Sequence, residues 1–345
     1  MIVRFTPSAV AHAVQEVVAE LERSGARVWR STESARPIVA SAGGGGDDLA
    51  AALADRPEVE EVVAPPGGLR LAARAFRESP TRVRVGRGPG AVVIGGPEVP
   101  VIAGPCSVEG RDFMTEVAAA VAAGGARILR GGAFKPRTSP YSFQGFGVEG
   151  LAQLVEAGRA HGLPVCAEIM DAAHLPAFLD HDVDLLQVGA RNSQNFTLLK
   201  AIAAAGRPVL LKRGLAMTLD EWLQSAEYLM AHGCDQVVLC ERGIRTFETA
   251  TRNTLDLTVL PVLRERTHLP VVVDPAHAVG IARFIPPLAR AAVACGADGL
   301  TVEVHPRPEQ ARSDGPQALL PAELASLVAE TRILAALTPR AGRSG

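Results

Sequence analysis

The sequence predicts an α/β protein in two parts, a small βαββαβ domain followed by a closed (β/α)8 barrel, and three observations carry that expectation. Residues 1 to about 70 alternate short apolar runs with helical patterns. From residue 99 one unit, an apolar β-branched run followed by a helical stretch, recurs eight times. Each of the eight runs ends in polar residues at its C-terminal edge, where a barrel of this kind carries its site.

In the first part, the runs "IVRF" (2 to 5), "RVWRS" (27 to 31), "PIVASA" (37 to 42) and "VEEVVA" (59 to 64) read as strands. Two helical patterns separate them, 8 to 25 with Ser8 as N-cap and Gly25 as the stop, and 47 to 57. That order is the ferredoxin-like arrangement, assigned to residues 1–70. The tetraglycine at 43 to 46 reads as a flexible loop, because nothing like the Gly-Lys-Ser/Thr of a phosphate loop follows it. Residues 71–98 form a linker in which "RVRVGRGPGAVVIGG" predicts a hairpin around Gly-Pro-Gly.

The barrel is assigned to residues 99–340. Its runs are "VPVIAGPC" (99 to 106), "ARILRGGAF" (126 to 134), "PVCAEIMD" (164 to 171), "VDLLQVGAR" (183 to 191), "PVLLKRG" (208 to 214), "QVVLCERG" (236 to 243), "PVVVDPAH" (270 to 277) and "GLTVEVHP" (299 to 306). Near-continuous apolar strands alternating with amphipathic helices specify a parallel sheet covered on its outer face. Eight such units match a closed barrel, with a doubly wound open sheet as the rival.

Composition narrows the function. A formal charge of −2 over 345 residues gives no overall basic field for nucleic acid, so anion binding must come from locally gathered cations. No apolar run reaches the roughly 18 to 20 residues of a membrane span, and the start lacks the order of a signal peptide. Five cysteines, an odd number with no C-x-x-C pair, predict free thiols and a cytoplasmic protein.

One of those cysteines stands apart. Cys106 ends the first barrel run, at the mouth, whereas Cys166 and Cys240 lie within apolar runs and read as packing residues. His277 closes the seventh run, Glu303 lies near the end of the eighth, and Asp314 follows in the next loop. A closed barrel brings its first strand beside its eighth and near its seventh. The four side chains therefore make a candidate ligand set for one divalent metal, Mn, Fe, Co or Zn. His305 competes, but His277 has Asp274 one turn away to orient it.

The basic residues form a second set. Arg130, Lys135, Arg137, Arg191, Lys212, Arg242 and Arg245 gather at the ends of runs two, four, five and six. Any one of them alone would be solvated surface charge. Seven around one rim in a slightly acidic chain argue for anionic ligands, and two phosphorylated substrates account for so many.

Quoted in order, "AGPCSVEG", "LRGGAFKPRTSPYSFQG", "VGARNSQN", "LLKRG", "CERGIRTFE", "DPAHAVG" and "VEVHPRPEQARSDG" resemble the 3-deoxy-D-arabino-heptulosonate 7-phosphate synthases, in the branch with an N-terminal ferredoxin-like regulatory domain. The resemblance runs from about residue 99 to 325; "AHAVG" departs from it in being less glycine-rich. It implies condensation of phosphoenolpyruvate with erythrose 4-phosphate, the first step of the shikimate pathway. It places Cys106, His277, Glu303 and Asp314 on the metal positions. Arg130, Lys135, Arg191, Lys212 and Arg242 fall on the phosphoenolpyruvate positions, with a backbone contact from Ala190, and Arg137 and Thr138 on those that hold the erythrose phosphate. Lys135 and Glu168 are the candidates for proton transfer. The resemblance also implies tyrosine or phenylalanine as effector and a homo-oligomer, a tetramer. The alternatives are an octulosonate 8-phosphate synthase, which carries Ala-Asn-Arg-Ser where this chain has Pro136 to Ser139, and a non-catalytic sensor of sugar phosphates or amino acids.

Overall fold

The computed structural model describes residues 1–32, 34–135 and 139–338. They fall into two compact units, residues 1–80 together with 262–268, and residues 81–261 together with those from 269 on.

The first unit holds β1 (Ile2–Phe5), α1 (Ala11–Arg23), β2 (Arg27–Arg30), β3 (Ile38–Ala42), α2 (Asp47–Ala54) and β4 (Val59–Val63). The sheet order is β2-β3-β1-β4 with every pair antiparallel, the ferredoxin-like layout. Val14, Val17, Val18 and Leu21 recur at helical spacing along α1 and close over Val3, Phe5 and Val39 of the sheet to form its core. Ser8 does not cap α1. Ala9 N–H first donates to Thr6 O at 3.0 Å, so the chain makes a turn before the helix, and the cap position falls to Val10. Gly25, in a left-handed conformation at φ +85°, ends the helix as its sequence position predicts. The tetraglycine is a packed turn. A Cβ on Gly44 would lie 2.5 Å from Ser24 O, so only glycine allows this close approach to the end of α1.

In the second unit, β5 (Val83–Val85) and β6 (Val92–Ile94) form the expected hairpin. Eight parallel strands follow: β7 (Val101–Gly104), β8 (Ile128–Gly131), β9 (Val165–Glu168), β10 (Leu185–Val188), β11 (Val209–Lys212), β12 (Val237–Glu241), β13 (Val271–Val273) and β14 (Gly299–Glu303). They close into a barrel, with β14 pairing β7. Helices α3 (Arg111–Ala123), α4 (Gly147–Ala160), α5 (Leu175–Asp180), α6 (Phe196–Ala203), α7 (Leu219–Ala231), α8 (Val259–Arg266), α9 (Pro275–Val279), α10 (Ile285–Ala294) and α11 (Pro321–Leu337) lie between or after the strands in the chain, and α8 from residue 262 on counts with the first unit. The hairpin is more than a linker. Val83, Val85, Val92 and Ile94 join Ile102, Ile128, Leu185, Leu210, Val238 and Val272 in one buried cluster, so the hairpin closes the end of the barrel where the strands begin. Burying four such side chains contributes on the order of 1.5 to 3 kcal/mol each. Cys166 and Cys240 pack in the same cluster, and all five cysteines are free thiols. Among the described residues no helix is long and apolar enough to cross a membrane.

Candidate active site

The last residue of β14, Glu303, is in register with Gly104 at the end of β7. Closure of the barrel therefore sets Glu303 beside the segment that carries Cys106, two residues beyond Gly104. His277 is not in β13, which ends at Val273. Pro275, at a helix start where its missing N–H costs nothing, opens the short α9, and Asp274 caps it by accepting the His277 N–H on Oδ1 at 2.9 Å. Asp314 adopts the left-handed region at φ +52°, which Asp tolerates better than most residues, in the loop after β14. One ligand atom from each of Cys106, His277, Glu303 and Asp314 lies within 4.8 Å of all the others.

The electrostatics of this group suit a cation. Asp274 Oδ2 lies 2.8 Å from His277 Nδ1, which leaves Nε2 pointing at Glu303 Oε1 at 3.2 Å. Burial lowers the His277 pKa despite Asp274 beside it, and both ring nitrogens face carboxylate oxygens. Glu303 is fully buried, and its Oε1 receives no hydrogen bond. Asp314 is held down at about 2: burial works against this, but the Cys106 thiol, His277 and Arg252 outweigh it. Burial and the nearby Glu303 push the Cys106 thiol up to about 11. Soft sulfur, imidazole and two carboxylates gathered at this distance fit a divalent transition metal.

Beside this cluster opens a cavity of about 360 Å³, lined on its charged side by Arg130, Lys135, Arg191, Lys212, Arg242 and Arg252 and reaching His277 and Asp314. Lys135 is buried, with Nζ 2.9 Å from Cys106 O and 3.0 Å from its Sγ. Arg130, also buried, lies 3.3 Å from Glu303 Oε1. Lys212 donates to Asp274 Oδ2 at 2.6 Å, so one buried carboxylate positions both a cation of the cavity and the imidazole of the cluster. Arg242 is fixed by its bond to His277 O at 3.1 Å. Glu168 and Ala190 also line the cavity. Gly189 makes room for the Glu168 carboxylate, because a Cβ there would sit 1.9 Å from Glu168 Oε1. The glycine in "VGAR" thus admits a neighbouring side chain.

Arg245 is exposed and takes no part in the cavity lining, and His305 lies apart, its ring 4.8 Å from that of Phe113. His305 Nε2 instead lies 3.5 Å from Glu109 Oε2. Arg137 and Thr138 lie outside the described residues. Sequence reasoning missed Arg252 and Gln317. Arg252 contacts Asp314 at 3.3 Å, and Gln317 donates to Glu303 Oε2 at 2.6 Å. Neither side chain type is a metal ligand, and neither falls at a strand end, so no pattern marks them.

The chain is also similar to proteins of known family. The chain is 44% identical over 323 residues to the phospho-2-dehydro-3-deoxyheptonate aldolase of Thermotoga maritima, covering 92% of this chain and 93% of that one. A crystal structure of that enzyme superimposes with a TM-score of 0.76 at 42% identity, covering 97% of each chain. A truncated form of the Thermotoga maritima 3-deoxy-D-arabino-heptulosonate 7-phosphate synthase matches with a TM-score of 0.71 at 44% identity over 77% of this chain and 96% of its own. A 2-dehydro-3-deoxyphosphooctonate aldolase of Rhodopseudomonas palustris is more distant, 34% identical over 71% of this chain and 91% of its own. The model of the DAHP synthetase I family matches residues 76–336, and the chain belongs to that family.

Proposed function

We propose that the barrel mouth condenses phosphoenolpyruvate with erythrose 4-phosphate to give 3-deoxy-D-arabino-heptulosonate 7-phosphate and inorganic phosphate. The observation that carries this reading is the meeting, at the C-terminal end of the strands, of a four-residue metal-ligand set with a cavity lined by six cations. Cys106, His277, Glu303 and Asp314 would hold a divalent ion, Mn, Fe, Co or Zn. When bound, the ion supplies Lewis-acid polarisation of the aldehyde.

The protein's own residues do the rest. Arg130, Lys135, Arg191, Lys212 and Arg242, with the Ala190 backbone, bind phosphoenolpyruvate, while Arg137 and Thr138 bind the phosphate of the sugar. Their first contribution is to hold two mutually repelling anions in contact. The phosphoenolpyruvate methylene carbon then forms a bond to the aldehyde carbon, and the carbonyl electron pair moves to oxygen, which takes a proton. Lys135, buried and held in place by Cys106 O, is the proton donor. Positive character at the enol-ether carbon draws a water, which adds as it loses a proton to Glu168. The hydroxyl of the resulting hemiketal phosphate then gives up its proton and becomes the ketone carbonyl as the bond from that carbon to the phosphate oxygen breaks, and the departing inorganic phosphate takes up the proton.

Residues 1 to about 70 act as a regulatory domain in this reading, with tyrosine or phenylalanine as the effector and a homotetramer as the working assembly. The described part of that domain holds no cysteine and one histidine, His12, which is exposed on α1. A catalytic role has little to work with there. Release of phosphate only when both substrates are present, and not with a five-carbon sugar phosphate in place of erythrose 4-phosphate, is the test. Turnover with the five-carbon sugar would move the assignment to the octulosonate reaction, and no turnover with either would leave a sensor.

A further inference from the structure

We propose that Gln317 is a positioning residue that fixes Glu303 in the ligand set and, through Arg252, ties Glu303 to Asp314. The inference rests on the reading above that this cluster holds a divalent ion. Gln317 is 2% exposed, in the short turn that follows Asp314. Its Nε2 donates to Glu303 Oε2 at 2.6 Å, and its Oε1 accepts from Arg252 Nη1 at 2.9 Å. The same Nη1 lies 3.3 Å from Asp314 Oδ1. A carboxylate only accepts and a guanidinium only donates, so the amide has one orientation that satisfies both neighbours. With Oε2 held by Gln317, the other oxygen of Glu303 is left facing His277 Nε2 at 3.2 Å, inside the cluster.

Arg252 is itself fixed by a loop that follows the backbone of α9. Arg252 N–H donates to Val279 O at 3.1 Å and Asn253 N–H to Ala278 O at 2.7 Å, while the Asn253 side chain donates to His277 O at 3.1 Å. One amide and one loop thus restrain three of the four ligands, yet neither Gln317 nor Arg252 is suited to bind a metal. Partners of this kind commonly change metal affinity by about 10- to 100-fold when removed.

The test uses the full-length protein stripped of metal, with Mn(II) and Zn(II) affinities measured by competition against a chromophoric chelator. Gln317→Met keeps the shape and removes both hydrogen bonds. It is expected to raise the metal Kd about 10- to 100-fold, with the thermal midpoint of the metal-free protein measured beside it to show that the variant is folded. Arg252→Met, at a partly exposed side chain, is expected to weaken binding less. The double variant should lose less than the sum of the two, because both act on one relay. Wild-type affinity in Gln317→Met, or additive losses, overturns the proposal. Should Gln317→Met not fold, unchanged affinity in Arg252→Met overturns it alone. Failure of the wild-type protein to bind either ion would instead bring down the metal reading itself, and this inference with it.

Discussion

Lys135 brings an ammonium to 3.0 Å from the Cys106 sulfur, in a site where burial would otherwise keep the thiol protonated. A metal ligand must be a thiolate, so this cation supports the form of Cys106 that binding needs. Cys106→Ser replaces soft sulfur with hard oxygen while Lys135 and Asp314 keep a partner. It is expected to weaken zinc or iron by at least about tenfold, roughly 1.4 kcal/mol, with a parallel loss of turnover. Equilibrium metal binding read beside activity checks this, and unchanged affinity would remove Cys106 from the ligand set. The anion contacts divide in the same way. Arg191 is an exposed rim residue of the cavity, whereas Lys212 is buried and paired with Asp274. Removing Arg137 should raise the KM for erythrose 4-phosphate, and removing Arg191 the KM for phosphoenolpyruvate, each by about ten- to a hundredfold, the weight of one charge-assisted contact. Steady-state kinetics with each substrate varied in turn checks the division, and an Arg137→Ala enzyme with unchanged sugar-phosphate dependence contradicts it.

At the level of elements, His268 just after α8 links the first unit to pH. The ring is 2% exposed and donates from Nε2 to Leu71 O at 2.6 Å, and burial lowers its pKa from 6.5 to about 4. The folded protein keeps this ring neutral while the unfolded chain takes up a proton below pH 6.5. Stability is therefore complete above pH 6.5 and falls as pH drops toward 4, by about 3 kcal/mol across the window at about 1.36 kcal/mol per pH unit. Urea unfolding at pH 7.5 and 5 should show the loss, and His268→Gln, which can still donate to Leu71 O, should flatten it. A variant with the wild-type pH slope would place the effect elsewhere. No sequence pattern announces this residue, because the packing that buries it, and the carbonyl it meets almost 200 positions away, come from the fold. The same limit explains what else was hidden. The eight barrel strands and the four ferredoxin-like strands were legible because apolar runs and helical periodicity are local, and the ends of the runs located Cys106, His277 and Glu303, with Asp314 in the loop after the eighth. The cap of α1, the tight packing of Gly44, and the Gln317–Arg252 pair depend on what the chain meets in three dimensions, and the residues alone do not show it.

On the scale of the whole molecule, the hairpin decides where the chain can be cut. Val83, Val85, Val92 and Ile94 belong to the buried cluster at the start of the barrel strands, so a cut beyond residue 82 would expose that apolar surface to water. A truncated chain beginning at residue 72 keeps the hairpin, all eight barrel strands, the metal-ligand set and the cavity cations. It should retain phosphate release from the two substrates with a kcat within a few fold of the full chain. Inhibition by tyrosine or phenylalanine requires the amino acid to bind one state of the protein better than another. With the βαββαβ domain gone, the proposed binding surface is gone, and the truncated chain should be indifferent to both amino acids at concentrations that inhibit the full-length enzyme. Initial-rate assays of both chains across a tyrosine and phenylalanine series make the comparison. Equal inhibition of both would place the effector site in the barrel, and a full-length enzyme insensitive to either amino acid would leave the N-terminal domain without the regulatory role assigned to it.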